Sequence, residues 1–335
     1  MLPTHSLIAI FGGFICTGLL VLLVREVAAK RHWVAVPNSR SSHTVPTATV
    51  GGIGFVIPIL TYLTWLGIVF VPHALPLMGA LALVAAVSLA DDLREMSRRS
   101  RFVVHLAAVG LVVFTFREGM PYWVLAVAAF ALLWHLNLYN FMDGIDGIAA
   151  SQALFFCVGL QIVADGNLGW MNDLVWLLAG SMVGYLVYNW PKASIFMGDV
   201  GSGFIGLLIG AIVLERSGQT WPLVGSLILL AVFWFDATYT LCVRMLTGQP
   251  FTDAHRSHLY QKLAAIKGHR WTMGLFWAFA LFWLLPLAWL ASRYLAWSLV
   301  ALAAAVAPIA VAAVWFRAGI APVSPVKEEG SANFA

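Results

Sequence analysis

Eleven apolar runs follow one another along this chain, and they decide what it can fold into. They lie near residues 5–24, 53–71, 74–90, 102–116, 121–138, 148–164, 169–189, 200–214, 221–241, 271–291 and 295–315. A helix that crosses a bilayer needs about 20 mostly apolar residues. The runs are continuous rather than alternating, which selects a helical bundle over a barrel. With 61% hydrophobic and 10% charged residues and a mean hydropathy of +0.88, the chain reads as an all-α polytopic transmembrane bundle. It has about 11 spans, or ten if the short run near 200–214 does not cross. The longest gap, Arg244 to Arg270, leaves no room for a soluble domain. Residues 1–317 therefore form one integral-membrane domain, and 318–335, with two prolines and Lys-Glu-Glu, form a mobile cytoplasmic tail.

The basic residues set an orientation. If the N-terminus is outside, 16 of the 19 Lys and Arg fall on inner segments, leaving Arg117, Arg216 and Arg293 outside. The positive-inside rule then predicts N-out and C-in. No Lys or Arg precedes the first run and charges follow it, so it reads as a retained span rather than a cleaved signal peptide. Cys16, Cys157 and Cys242 fall in or beside spans, with neither metal-ligand spacing nor a disulfide framework. The net charge of +4 comes from inner loops and reports topology and headgroup contact, not nucleic-acid binding.

Against this apolar background one stretch stands apart: Asn137-Leu-Tyr-Asn140-Phe-Met-Asp143-Gly-Ile-Asp146-Gly147. Carboxylates at the mouth of a span are costly unless they serve something. The four polar residues recur every three positions, each step about 60° short of a full turn, so a continuous helix would not put them on one stripe. Gly144 and Gly147 suggest that the helix breaks there and lets Asp143 and Asp146 converge on one cation. Oxygen-only donors favour a hard ion such as Mg²⁺ over Zn²⁺. A helix terminus rich in capping residues is the structural alternative.

Other segments add chemistry on the same predicted face. Asp91-Asp92 ends the third run just before Arg94, Arg98, Arg99 and Arg101; adjacent carboxylates repel and call for a cation, an arginine or a shared proton. Gly198-Asp199-Val-Gly201-Ser202-Gly203 opens the eighth run, where exposed backbone N–H groups beside a carboxylate suit a metal-bound phosphate or, alternatively, a capped glycine-rich turn. The loop from Pro37 to Gly52 carries Arg40 and His43, which suit either a phosphate or anionic lipid. Lys192 lies between the seventh and eighth runs. His255-Arg256-Ser257-His258, beside Tyr260, has the means to clamp a diphosphate and stack on a base. Asp236, inside the ninth run, is expected to pair structurally with Arg244, and Lys262 to Arg270 reads as a basic surface helix.

These residues together resemble the polyprenyl-phosphate N-acetylhexosamine-1-phosphate transferase family (glycosyltransferase family 4), in the branch that initiates O-antigen, enterobacterial common antigen or teichoic-acid linkage units. The likeness rests on Asp91-Asp92, the Asn137–Gly147 stretch, Phe196-Met-Gly-Asp199-Val-Gly-Ser202 and His255-Arg-Ser-His258, in family order from Pro37 to Gln261. It implies transfer of N-acetylhexosamine 1-phosphate from a UDP-sugar to undecaprenyl phosphate, releasing UMP, with Mg²⁺ or Mn²⁺, at the cytoplasmic face of a bacterial inner membrane. It implies catalytic roles for Asp91, Asp92, Asp143 and Asp146, metal ligation by Asp199 and Asp143, and substrate binding by Asn137, Asn140, His255, Arg256, His258, Lys192, Arg40 and His43. A homodimer is compatible with the family. In one departure, the loop expected to read Pro-Thr-Pro-Arg-Gly-Gly-Gly has Thr49 at the usual basic position. The rival reading, a secondary transporter, would place its acids near the bilayer midplane and show internal repeats; this chain does neither.

Overall fold

The computed structural model describes residues 3–36, 45–94, 96–216, 220–250 and 255–320. Every one of the eleven apolar windows is helical. In chain order the helices are α1 (Thr4–Arg31), α2 (Ile53–Val69), α3 (Ala74–Leu93), α4 (Arg98–Thr115), α5 (Tyr122–Phe141), α6 (Ile148–Val163), α7 (Asn172–Asn189) and α8 (Gly198–Arg216). There follow α9 (Thr220–Leu229), α10 (Ala231–Leu246), the short α11 (Leu259–Lys267), α12 (His269–Phe279), α13 (Leu285–Arg293) and α14 (Ser298–Trp315). A π-helical turn, Ala280–Leu284, joins α12 to α13. A two-residue hairpin, β1 (Val34–Ala35) and β2 (Thr47–Ala48), follows α1.

Length and composition divide these helices. Among the described residues seven are long and apolar enough to cross a membrane, or eight if α9 and α10 count as one span bent by 71°. The helices Ile53–Val69 and Ile148–Val163 are apolar but shorter. Helix α4 begins with Arg98, Arg99 and Arg101, and its Ser97 N-cap accepts from Ser100 N at 3.1 Å, so its first turn belongs to the polar boundary. The protein is thus an all-α, multi-pass membrane protein.

Small residues let its helices approach. Helix α1 runs along α7, where Gly13 faces the Leu177 carbonyl, Gly180 the Ile10 carbonyl and Gly184 the Phe14 carbonyl. Gly180-x-x-x-Gly184 is the spacing that brings membrane helices into backbone contact. Helix α8 is the hub, buried almost all round between α3 and α5. Gly206 lies against Leu136 and Tyr139 of α5, and Gly201 against Gly52 and Phe55.

The loop after β2 is stitched to the loop before α8. Phe196 N donates to Ala48 O at 2.8 Å, Gly51 N to Phe196 O at 2.8 Å and Gly52 N to Met197 O at 2.9 Å. The result is a polar cap at one end of the bundle. The C-terminal ends of α3, α5, α7 and α10 and the N-terminal ends of α4, α6, α8, α11 and α12 all meet there.

Candidate active site

Helix α5 stops at Phe141, so Asn140 sits on its last turn while Asp143 and Asp146 lie in the connection to α6. Gly147 closes that connection at φ 79°, a left-handed backbone that a side chain disfavours, and its N–H donates to Asn189 Oδ1 at 2.9 Å. The expected break in the helix is present, and it turns both aspartates into one cavity of about 260 Å³. Asn140, Asp199 and Ser202 line the same cavity, with Asn189, Gln261 and His269.

Asp199 opens α8. Its Oδ1 accepts from Asn140 Nδ2 at 2.8 Å, its Oδ2 from Arg101 at 3.3 Å, and Asn140 also reaches Ser202 Oγ at 3.0 Å. Arg101 simultaneously pairs with Asp91, whose other oxygen accepts from Met96 N at 2.6 Å. One guanidinium therefore ties the aspartate of α3 to that of α8. Asp143 keeps some surface towards the cavity but is enclosed by protein. Burial raises its carboxyl well above the usual carboxylate range, reinforced by Asp199, Asp92 and Asp146.

Asp92 does something the sequence did not announce. Its two oxygens accept from Asp199 N at 3.0 Å and Val200 N at 2.9 Å, capping the first turn of α8. Gly198, at φ 70°, makes room for this; a Cβ there would come within 2.6 Å of Asp92 Oδ2. Asp236 repeats the device on α11, accepting from Leu259 N at 2.9 Å and Tyr260 N at 3.0 Å. The expected Asp236–Arg244 pair is not formed. Arg244 donates instead to Pro250 O at 2.6 Å and to Ser257 and Gln249.

The histidine segment is divided. His258 is 2% exposed and caps α11 in a reciprocal arrangement with Gln261. His255 stacks on it with ring centroids 4.9 Å apart, and its Nδ1 bonds Ser257 Oγ at 2.9 Å. Burial, with His258 and Arg244 nearby, lowers the His255 pKa to about 4, so the ring is neutral near pH 7. Arg256 is exposed. None of the three lines the acid cavity. Asn137 also turns away, its amide donating to Leu133 O at 2.7 Å. Lys192 is exposed on a neighbouring groove. Arg40 and His43 lie outside the described residues, while Thr49 spends its N–H on Trp33 O at 3.0 Å.

Sequence reasoning missed three members of the site. His269 Nδ1 lies 3.1 Å from Asp146 Oδ2, although it belongs to the segment read as a plain surface helix. Arg101 looked like one of a basic run, and Asn189 like the polar end of a span. Only their packing against residues distant in the chain reveals them: His269 meets Asp146 across 123 positions, Arg101 meets Asp199 across 98 and Asn189 meets Gly147 across 42. The acid cavity offers carboxylate, carboxamide and hydroxyl oxygens, with the His269 imidazole beside Asp146. Carboxylate and carboxamide oxygens of this kind suit Mg²⁺, which keeps several waters and uses one or two carboxylates together with substrate phosphates.

A family model described as Glycosyl transferase family 4 matches residues 74–217, the segment from α3 to α8 that carries Asp91 through Ser202. The chain is 27% identical over 285 residues to a Bacillus subtilis protein described as a probable undecaprenyl-phosphate N-acetylglucosaminyl 1-phosphate transferase, covering 78% of this chain and 79% of that protein. It is 27% identical over 311 residues to the decaprenyl-phosphate N-acetylglucosaminephosphotransferase of Mycobacterium leprae, covering 76% and 75%. It is 27% identical over 279 residues to the undecaprenyl-phosphate alpha-N-acetylglucosaminyl 1-phosphate transferase of Escherichia coli, covering 74% and 73%.

Proposed function

The chain belongs to glycosyl transferase family 4 and is a phosphoglycosyltransferase, and on that premise we propose that it transfers N-acetylhexosamine 1-phosphate from a UDP-sugar to undecaprenyl phosphate. The observation that carries this reading is the convergence of Asn140, Asp143 and Asp146, from the corner between α5 and α6, with Asp199, from the first turn of α8, on one cavity at the polar end of the bundle. A transporter would hold such acids near mid-membrane.

In the proposed reaction an oxygen of the lipid phosphate attacks the sugar-linked phosphorus, the bond to the UMP oxygen breaks, and UMP leaves. A phosphate monoester, with a second pKa near 6, is already nucleophilic at neutral pH, so no aspartyl-phosphate stage is needed. Asp199 and Asp143 would hold Mg²⁺, with Mn²⁺ as an alternative. The ion would supply charge neutralisation between the diphosphate oxygens. Asn140 steadies Asp199 through its amide, and Arg101 holds Asp91 beside it. Asp92 acts at one remove, by fixing the first turn of α8. The basic inner loops support N-out, C-in insertion in a bacterial inner membrane, with the site facing the cytoplasm. The product would start a lipid-linked surface glycan such as O-antigen.

The test uses detergent-purified protein, undecaprenyl phosphate, Mg²⁺ and a panel of UDP-N-acetylhexosamines. UMP release together with an organic-phase sugar lipid from one donor, abolished by EDTA, is the expected result. UMP release from none of the sugars would sink the reading.

A further inference from the structure

A second groove, of about 700 Å³, lies beside the acid cavity and differs from it in charge. Its walls carry Lys192 from the connection between α7 and α8, and Lys267, His269 and Arg270 from the corner between α11 and α12. None of Lys192, Lys267 and Arg270 makes an ion pair with a carboxylate among the described residues. Arg270 is pinned by its Nε, which donates to Pro191 O at 3.1 Å, and its terminal nitrogens take no protein acceptor among the described residues. The one carboxylate on the groove, Asp146, is already held by His269 and by Ala193 N at 3.2 Å. Three cations on one concave wall repel one another unless an anion joins them.

Asp146, Phe196 and His269 belong to both cavities, so an anion in the groove would sit directly beside whatever the acid cavity holds. We propose that Lys192, Lys267 and Arg270 form a phosphate-binding wall that receives a substrate phosphate ester next to the acid cavity. This rests on the transferase reading. Both substrates carry suitable chemistry: the nucleotide phosphate of the donor and the phosphate of the lipid acceptor. The terminal fork of Arg270 suits two phosphate oxygens, whereas the lysines act as point charges. A basic patch serving only lipid headgroups would need no concavity and no wall shared with the acids.

The experiment compares wild type with Arg270→Ala, Lys267→Ala, the double variant and Arg270→Lys, all in a neutral detergent so that no anionic lipid contributes. The exposed positions predict unchanged thermal melts. The KM of one substrate should rise about tenfold in each alanine variant, with kcat altered far less and Arg270→Lys intermediate. A rise for the UDP-sugar assigns the wall to the donor; a rise for the polyprenyl phosphate assigns it to the acceptor. In a separate arm, calorimetry measures inorganic pyrophosphate binding without either substrate. Wild type should bind and the double variant should not, and this arm decides the matter even if no sugar is turned over. Wild-type KM values for both substrates in the double variant, or pyrophosphate binding that is absent from wild type or unchanged in the double variant, would overturn the proposal.

Discussion

Asp199→Asn exchanges one oxygen for an amide nitrogen without changing shape. It should lower UMP release by at least roughly a hundredfold, because it removes charge where charge develops, while the thermal melt stays within a few degrees. Asp92→Ala should behave in the opposite way. Losing the cap of α8 should cost about 1–2 kcal/mol, visible as a lower melting temperature, with activity falling through displacement of Asp199. Asp143 adds a pH dependence whose sign follows from its raised carboxyl. The folded state binds a proton that the unfolded state releases above about pH 4, so without divalent ions stability should fall as pH rises above that value. With Asp143 holding Mg²⁺ as proposed, the ion would have to displace that proton, so its apparent affinity should weaken as pH falls; thermal melts across pH with and without Mg²⁺ check both statements. His255 has the reverse sign. Its pKa of about 4 lies below the unfolded value near 6.5, so its contribution to stability is complete above pH 6.5 and is lost as pH falls towards 4.

One helix pairing, α1 against α7, carries a testable consequence. Gly180→Leu or Gly184→Leu would drive a side chain into the backbone of α1, at Ile10 or Phe14. Overpacking of this kind costs about 1–3 kcal/mol, so detergent-extracted yield and melting temperature should both drop. At this scale the sequence was largely readable, since hydropathy marks the apolar helices and the glycines mark a break near Asp143, although α5 already stops at Phe141 and the run near 221–241 is two helices. What it hid were relations between helices. Asp92 looks like half of a repelling pair until α8 arrives to use both its oxygens. Asp236 has a plausible local arginine yet spends itself on α11. His269 reads as surface because its partner, Asp146, lies 123 residues away. The 71° bend between α9 and α10 has no proline at the break to announce it.

For the whole molecule, the polar cap at one end implies a vectorial enzyme. Single cysteines placed at Lys192 and at Arg117, in a background lacking Cys16, Cys157 and Cys242, should react with a membrane-impermeant maleimide from opposite sides; labelling of both from one side would contradict the proposed topology. The glycine-lined contact between α1 and α7 bears on time as well as space. Helix α1 meets its partner α7 only after α7 has been made, about 158 residues later. At 5–20 residues per second that is a wait of roughly 8 to 30 s. Throughout that interval the face bearing Gly13 has only lipid or a membrane chaperone to cover it. Newly made chains should therefore be most vulnerable to quality-control proteases just before Asn172 enters the bilayer.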